Sequence, residues 1–572
     1  MLEDIAEFIR SQYAVCVLLL SFVVTSSYAL VPSRSASETE TFTVFRLPQF
    51  DLHGNHYGTR GRRVHGEVTS TLSSSSGVRR CLLIWWQNLP VDFIPELISS
   101  NAVAIIVVIP ADLRSLTYEE RKSFLEMEQT LISSSTSMPI YIAIDSPLVR
   151  KILKLASRKD AQPRAKSFGA IYSLFFGKSY KLVSKVQQLV APAYYSLETI
   201  VGRLSAFDQR EHVSTIAIVA HYDTLGLAPS RAFGFDSNGT GVILLLELLR
   251  IFSRLYQNSN TRAKYNLIFI LSGGGKMNFL GSKHWIEEFA EKRGRSASGS
   301  SSIEFALCLD SILGGGSNLY MHVSKTQKGS SPVARFQQKL NESAALHGVP
   351  LDIVQKKVNL ADDRLSWEHE AFNIRRMHAF TISGFQSPHD PMRHSILDLW
   401  QPNSTETLVP KFLTVISGLF RYIYNCKDAC SNAFVSEDSI RAQIDLWQEY
   451  FELHPRSQQV LVDLMKSPVG LALVHFVELY SDETTISRAQ TDAKNPEFVI
   501  YGGVVDTILA HQYNFLPPPL LLFLIFRTRT ALFDLIMSLI IFAYLFALHA
   551  VVTYISRCHW VAASSQNRLK AL

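Results

Sequence analysis

Between residues 214 and 425 the chain alternates short apolar runs with longer stretches whose apolar positions recur every three to four residues. The runs at 215–221, 265–271, 305–310, 319–323 and 378–382 predict strands. The stretches at 241–256, 281–292, 333–347 and 411–424 predict amphipathic helices. Strands alternating with helices argue a mostly parallel sheet covered on both faces. Such sheets hold ligands at the carboxyl ends of their strands. Upstream, runs at 102–109 and 139–144 flank a helical pattern at 118–131. That βαβ-like order predicts a separate N-terminal α/β subdomain within residues 30–200, ahead of a main domain at 201–425. The Ser-rich stretch 69–77 reads as a loop. Residues 426–530 read as helical and irregular, ending in an apolar approach at 516–526 that contains Pro517, Pro518 and Pro519.

The two ends follow neither rhythm. An apolar run at 13–24, followed by Ser27 and Ala29 in a small-x-small pattern, predicts a secretory signal over residues 1–29. Glu3, Asp4 and Glu7 outweigh Arg10 ahead of it, so an uncleaved signal anchor stays open. Residues 531–555 are apolar apart from Asp534 and His549. They predict one C-terminal transmembrane helix, since about 20 apolar residues cross a ~30 Å hydrocarbon core. Together these segments predict a single-pass protein with a luminal body and a cytosolic tail at 556–572. Arg568 and Lys570 in that tail resemble a dibasic retrieval signal.

Composition narrows the functional classes. Net charge is only +6, with Lys and Arg scattered, which argues against a nucleic-acid partner. Cys16 and Cys558 fall in the terminal segments, leaving Cys81, Cys308, Cys426 and Cys430 in the body. Cys426 and Cys430 could pair, but no CxxC motif suggests a structural zinc knuckle. Sequons at Asn238, Asn341 and Asn403 predict glycosylation on a luminal route.

Candidate chemistry clusters at predicted strand ends. His221 and Asp223 follow the strand at 215–221 and share a face, because side chains alternate along a strand. A histidine with a nearby carboxylate to orient it is a common arrangement around a metal. Asp236 lies in the turn opening the next helix, Asp310 ends the strand at 305–310, and His394 begins His394-Ser-Ile-Leu-Asp398. This order resembles the co-catalytic zinc aminopeptidases, a family that also holds the non-peptidase relatives transferrin receptor and nicastrin. The resemblance implies an aminopeptidase-like α/β fold, with His221, Asp236, Asp310 and His394 at ligand positions and Asp223 behind them.

The chain departs from that pattern where the chemistry is most demanding. The family places Glu-Glu after the second core strand, as general base and zinc ligand. Here the stretch reads Ser272-Gly273-Gly274-Gly275-Lys276, and the two positions are Gly275 and Lys276. Glycine has no group to take a proton, and a general base contributes typically 10²–10⁴-fold. A lysine ammonium repels a metal cation. Lys276 either enters the site as counter-charge to Asp236 and Asp310 or points to solvent. No catalytic residues, bound metal or cofactor are therefore expected, and the alternative is a single-zinc luminal metallo-aminopeptidase. The strings Ala220-His-Tyr-Asp223, Asp236-Ser-Asn-Gly239, His322-Val-Ser-Lys325 and Trp367-Glu-His-Glu370 resemble the nicastrin-like, or nicalin, branch of the family. That branch implies a scaffold of the endoplasmic-reticulum membrane. Its implied partners are the nodal modulator protein, the small multi-pass transmembrane protein 147, and the ribosome-associated translocon that inserts multi-pass proteins, with an effect on Nodal signalling.

Overall fold

The computed structural model describes residues 39–61, 63–71, 80–89, 91–99, 102–161, 179–184, 197–206, 213–295, 302–325, 329, 331–425, 435–461, 463–489, 498–501, 505–513 and 538–554. The expected signal, Cys426 and Cys430, the apolar approach at 516–526 and the basic tail lie outside the described residues. The chain divides into two compact units, Met1–Asp160 with Tyr180–His511, and Ala161–Ser179 with Gln512–Leu572.

In the first unit the early strands are β1 (Thr39–Arg46), β2 (Phe50–Leu52), β3 (Asn55–Thr59), β4 (His65–Thr69), β5 (Arg80–Trp85), β6 (Ala104–Ile109), β7 (Ser135–Thr136), β8 (Ile140–Ile144) and β9 (Ser179–Ser184). Helices α1 (Ile94–Ser99), α2 (Tyr118–Ser133) and α3 (Pro147–Ala161) fall among them. The start of α2 is written locally: Thr117 accepts from the Glu120 amide, and the Glu120 carboxylate accepts from the Thr117 amide at 2.9 Å.

The main strands are β10 (Leu197–Leu204), β11 (Thr215–His221), β12 (Asn266–Ser272), β13 (Ile303–Asp310), β14 (Leu319–Val323), β15 (Leu351–Gln355), β16 (Ala379–Ser383) and β17 (Glu483–Ala489). They form one sheet in the order β15-β14-β16-β13-β11-β12-β10-β17. Its centre is parallel, while β10, β17 and the β14–β16 pairing are antiparallel, so the sheet is mixed. The helices are α4 (Gly241–Gln257), α5 (Leu280–Arg295), α6 (Pro332–His347), α7 (Glu368–Ile374), α8 (Ser404–Tyr424), α9 (Glu437–Leu453) and α10 (Pro468–Tyr480). Helix α4 is apolar nearly all round and accordingly buried, its Glu247–Arg250 pair neutralised internally at 2.6–2.7 Å. Apolar residues of α4, α6, α8, α9 and α10 share one core with the sheet, and those of α5 and α7 share another.

Two expectations about layout change. Strand β10 runs across the expected boundary at residue 200. The region read as helical and irregular supplies β17 to the main sheet and two further strands, β18 (Phe498–Ile500) and β19 (Val505–Tyr513). Strand β19 pairs with β1 and closes a barrel in the order β1-β19-β9-β4-β5-β6-β8. These strands escaped a periodicity reading because their partners lie hundreds of residues away.

The expected transmembrane helix is not borne out. Among the described residues no helix is long and apolar enough to cross a membrane. In the second unit the described helix runs from 538 to 554. Residues 531–537 and 555 of the expected span lie outside the described residues. The expected single-pass topology, with luminal body and cytosolic tail, is likewise not borne out, since no described helix supplies its span.

Candidate active site

The centre of the sheet delivers its polar residues to one place. Strand β11 ends in His221, which is fully buried with Nδ1 3.5 Å from the equally buried Glu368 Oε2 at the start of α7. The other Glu368 oxygen accepts from Ser272 and Ser282 hydroxyls at 2.6 and 2.5 Å. Asp223 does not orient His221. Its two oxygens accept the backbone amides of Gly275 and Lys276 at 2.6 and 3.0 Å. This clamp draws the loop after β12 inward until Gly275 lies against the histidine ring. A β-carbon on Gly275 would sit 2.2 Å from His221 Cγ. The expected general-base position therefore lacks a carboxylate and also lacks room for one.

Asp310, at the end of β13, is fully buried and forms an ion pair with Arg393. Burial pushes its carboxyl up, but Arg393, then His221 and Lys276, outweigh burial and hold it well below the usual carboxylate range. The Arg393 guanidinium lies 4.4 Å from the centroid of the Trp367 ring, and His322 stacks on that ring at 4.1 Å. Asp236 is saturated by the Thr240 hydroxyl at 2.6 Å and the Leu313 and Gly314 amides at 2.9 and 2.8 Å. Asp398 accepts the Asp236 and Ser237 amides at 3.0 and 2.7 Å. Burial, then the charge of Asp236, lifts Asp398 to about 7.

Lys276 does turn into the site, as one of the two sequence readings held. Its ammonium donates to Ser237 Oγ at 2.6 Å rather than to either expected carboxylate. Burial, then Arg393, pulls it down to about 8. The direct counter-charge to Asp310 is Arg393, which the sequence reading passed over although it adjoins His394. His394 is driven well below its ordinary value by burial, then by Lys276 and Arg393, so it stays neutral.

Residues remote in sequence brace this centre. Arg456 is fully buried and donates to the carbonyls of Tyr222 at 2.7 Å, Phe233 at 3.2 Å and Gly234. Glu128 of α2 accepts the Leu227 and Ile396 amides at 2.7 and 3.0 Å and the Ser395 hydroxyl. Lys411 of α8 reaches the carbonyls of Ile312, Leu313 and Gly316. No local motif marks these three, because what they hold is backbone 95 to 268 residues away. Asn238 belongs to the same interior: its amide nitrogen donates to the His221 and Leu309 carbonyls at 3.2 and 2.7 Å. It is fully buried and leaves no room for a glycan, whereas Asn341 and Asn403 are exposed.

A zinc ion does not fit these residues. Asp310 is paired with a guanidinium, Asp236 and Asp223 have spent their oxygens on local donors, and an ammonium stands among them. No group of three or more His, Cys, Asp or Glu side chains among the described residues is placed to hold a metal. The single-zinc hydrolase has neither its metal set nor its base.

Residues 199–409 match the model of peptidase family M28. The human protein BOS complex subunit NCLN is 32% identical over 97% of this chain and 97% of its own. Nicalin of Caenorhabditis elegans is 28% identical over 100% of this chain and 98% of its own. The crystal structure of nicastrin, a gamma-secretase component, superposes with a TM-score of 0.55 at 12% identity, over 83% of this chain and 100% of that one, a likeness of fold. With its aminopeptidase-like architecture and near full-length similarity, the chain belongs to the nicalin family, which includes BOS complex subunit NCLN.

Proposed function

We propose that this chain is a non-catalytic, endoplasmic-reticulum-associated subunit that acts by assembly, as the counterpart of BOS complex subunit NCLN. The observation that carries the reading is the packing of Gly275 against the His221 ring beside the Arg393–Asp310 pair. That arrangement removes the base and sets a guanidinium against Asp310, one of the expected metal ligands. A site under no demand for turnover retains its shape this way. The proposed partners are the nodal modulator protein, transmembrane protein 147 and the machinery that inserts multi-pass proteins, with any effect on Nodal signalling following from that assembly. Similarity to a named complex subunit supports this reading.

The test is purification of the tagged full chain from cells, with the nodal modulator protein measured alongside. Stoichiometric recovery, indifferent to chelator and without hydrolysis of aminoacyl amides, is expected. Absence of the complex, or chelator-sensitive hydrolysis, overturns the reading.

A further inference from the structure

Within the first unit, helices α9 and α10 carry exposed apolar residues that the strand-end centre does not use. Helix α10 carries only His475 and Glu478 as charged or ionisable interruptions along Pro468–Tyr480, apart from its terminal tyrosine. A helix apolar on all sides belongs in an interior. One side of α10 meets that rule, with Val469, Leu473 and Val477 in the core. The other side does not: Leu471 is 45% exposed and Leu479 64%. Helix α9 continues the surface. Leu446, Tyr450 and Leu453 recur at i, i+4 and i+7 and so share a face, with Leu446 57% and Leu453 68% exposed. The two helices join where Trp447 meets Phe476 at 5.6 Å and the Tyr450 hydroxyl donates to the Pro468 carbonyl at 2.7 Å.

The charges left without an ion pair around this surface include three carboxylates. Asp445 and Glu449 stand four apart on α9 beside Leu446, and Glu478 stands beside Leu479. All three are exposed and make no ion pair among the described residues. Arg441 and Lys466 nearby are already paired with Glu406, Glu437 and Asp463. Like charges four apart on a helix repel, so local stability does not account for the Asp445–Glu449 pair.

We propose that the α9–α10 face docks an apolar helix of a partner protein, flanked by Lys or Arg residues that meet Asp445, Glu449 and Glu478. This rests on the reading of the chain as an assembly subunit and assigns that role a surface. The acidic rim selects among occupants. It repels an anionic lipid surface, which attracts basic segments. It repels a second copy of the same face. A partner helix laid along this apolar face with complementary flanking charge satisfies both features.

The experiment uses the full chain and two labelled 18-residue helical peptides with the same leucine face, one Lys-flanked and one Glu-flanked, read by fluorescence anisotropy. The Lys-flanked peptide is expected to bind at least tenfold more tightly. Leu446→Arg with Leu479→Arg should weaken it tenfold or more, and Asp445→Lys with Glu449→Lys and Glu478→Lys should invert the preference. Equal binding of both peptides, or binding unchanged by either set of substitutions, overturns the proposal. So does binding to phosphatidylserine vesicles, or self-association, that the leucine substitutions abolish. The same variants are carried through the co-purification with the nodal modulator protein. Wild-type chain that recovers the complex while peptide binding fails refutes this surface alone; wild-type chain that recovers no complex refutes the function beneath it.

Discussion

The strand-end centre and the α9–α10 face divide the molecule's polar and apolar groups in opposite ways. At the centre nearly every charge has an internal partner: Arg393 on Asp310, two amides on Asp223, three donors on Asp236. On α9–α10, leucines and carboxylates are left facing water. A catalytic site needs unspent groups aimed at a substrate, and a docking surface needs unspent area aimed at a partner. The pocket has lost the first property and the helical face has the second. The proposed function accordingly sits on the surface of the fold and not in its interior.

That contrast breaks most readily at Arg393. Replacing it with alanine strands the buried Asp310 carboxylate, and such a loss costs about 3–5 kcal/mol. Urea unfolding should show this cost for Arg393→Ala, with part of it recovered in Arg393→Ala/Asp310→Asn. A cost below about 1 kcal/mol would mean that the pair is incidental. Gly275→Glu comes next. The new side chain must displace the His221 ring or the loop, and overpacking of this kind costs about 1–3 kcal/mol. Restored peptidase activity in that variant would contradict the steric argument.

Glu128 sharpens the comparison through pH. Burial, opposed by the Ser395 hydroxyl and the Leu227 and Ile396 amides, raises its carboxyl from 4.5 to about 7. Folded, it therefore binds a proton more tightly than unfolded, and its stabilising contribution fades as pH rises from about 4.5 to 7. Glu128→Gln should flatten that slope by up to about 1.4 kcal/mol per pH unit. An unchanged pH profile of the unfolding midpoint would remove Glu128 from the account. Lys276→Met should cost about 1 kcal/mol or less, because the lost bond to Ser237 is offset by relief from Arg393. A loss beyond about 3 kcal/mol would restore Lys276 as the main counter-charge. Leu446→Arg with Leu479→Arg should shift stability least, within about 0.5 kcal/mol per substitution, while abolishing peptide docking. A large fall in melting temperature there would show that the face belongs to the core after all.

Much of the sheet was legible because its strands and helices each carry their own period. Residues 215–221 and 319–323 are strands as read, and the helix expected at 333–347 begins one residue earlier, where Ser331 caps it ahead of Pro332. His221, Asp223, Asp236, Asp310 and His394 stood out as strand-end residues, and the structure does gather them. Their tasks were less legible. Asp223 was expected behind His221 and instead clamps a loop, a difference set by where the β12 loop settles. Arg393, Arg456 and Glu128 escaped notice because a buried charge looks like any surface charge until its partner is known.

The sequence by itself determined the alternating α/β architecture, the family, and the absence of a carboxylate at positions 275 and 276, since each is written in local pattern or residue identity. Tertiary structure alone decided the rest: that the C-terminal strands complete the sheet and barrel, that Gly275 is closed off by the His221 ring, and that Arg393 answers Asp310. Those outcomes depend on distances between residues far apart in the chain, which a one-dimensional pattern does not constrain.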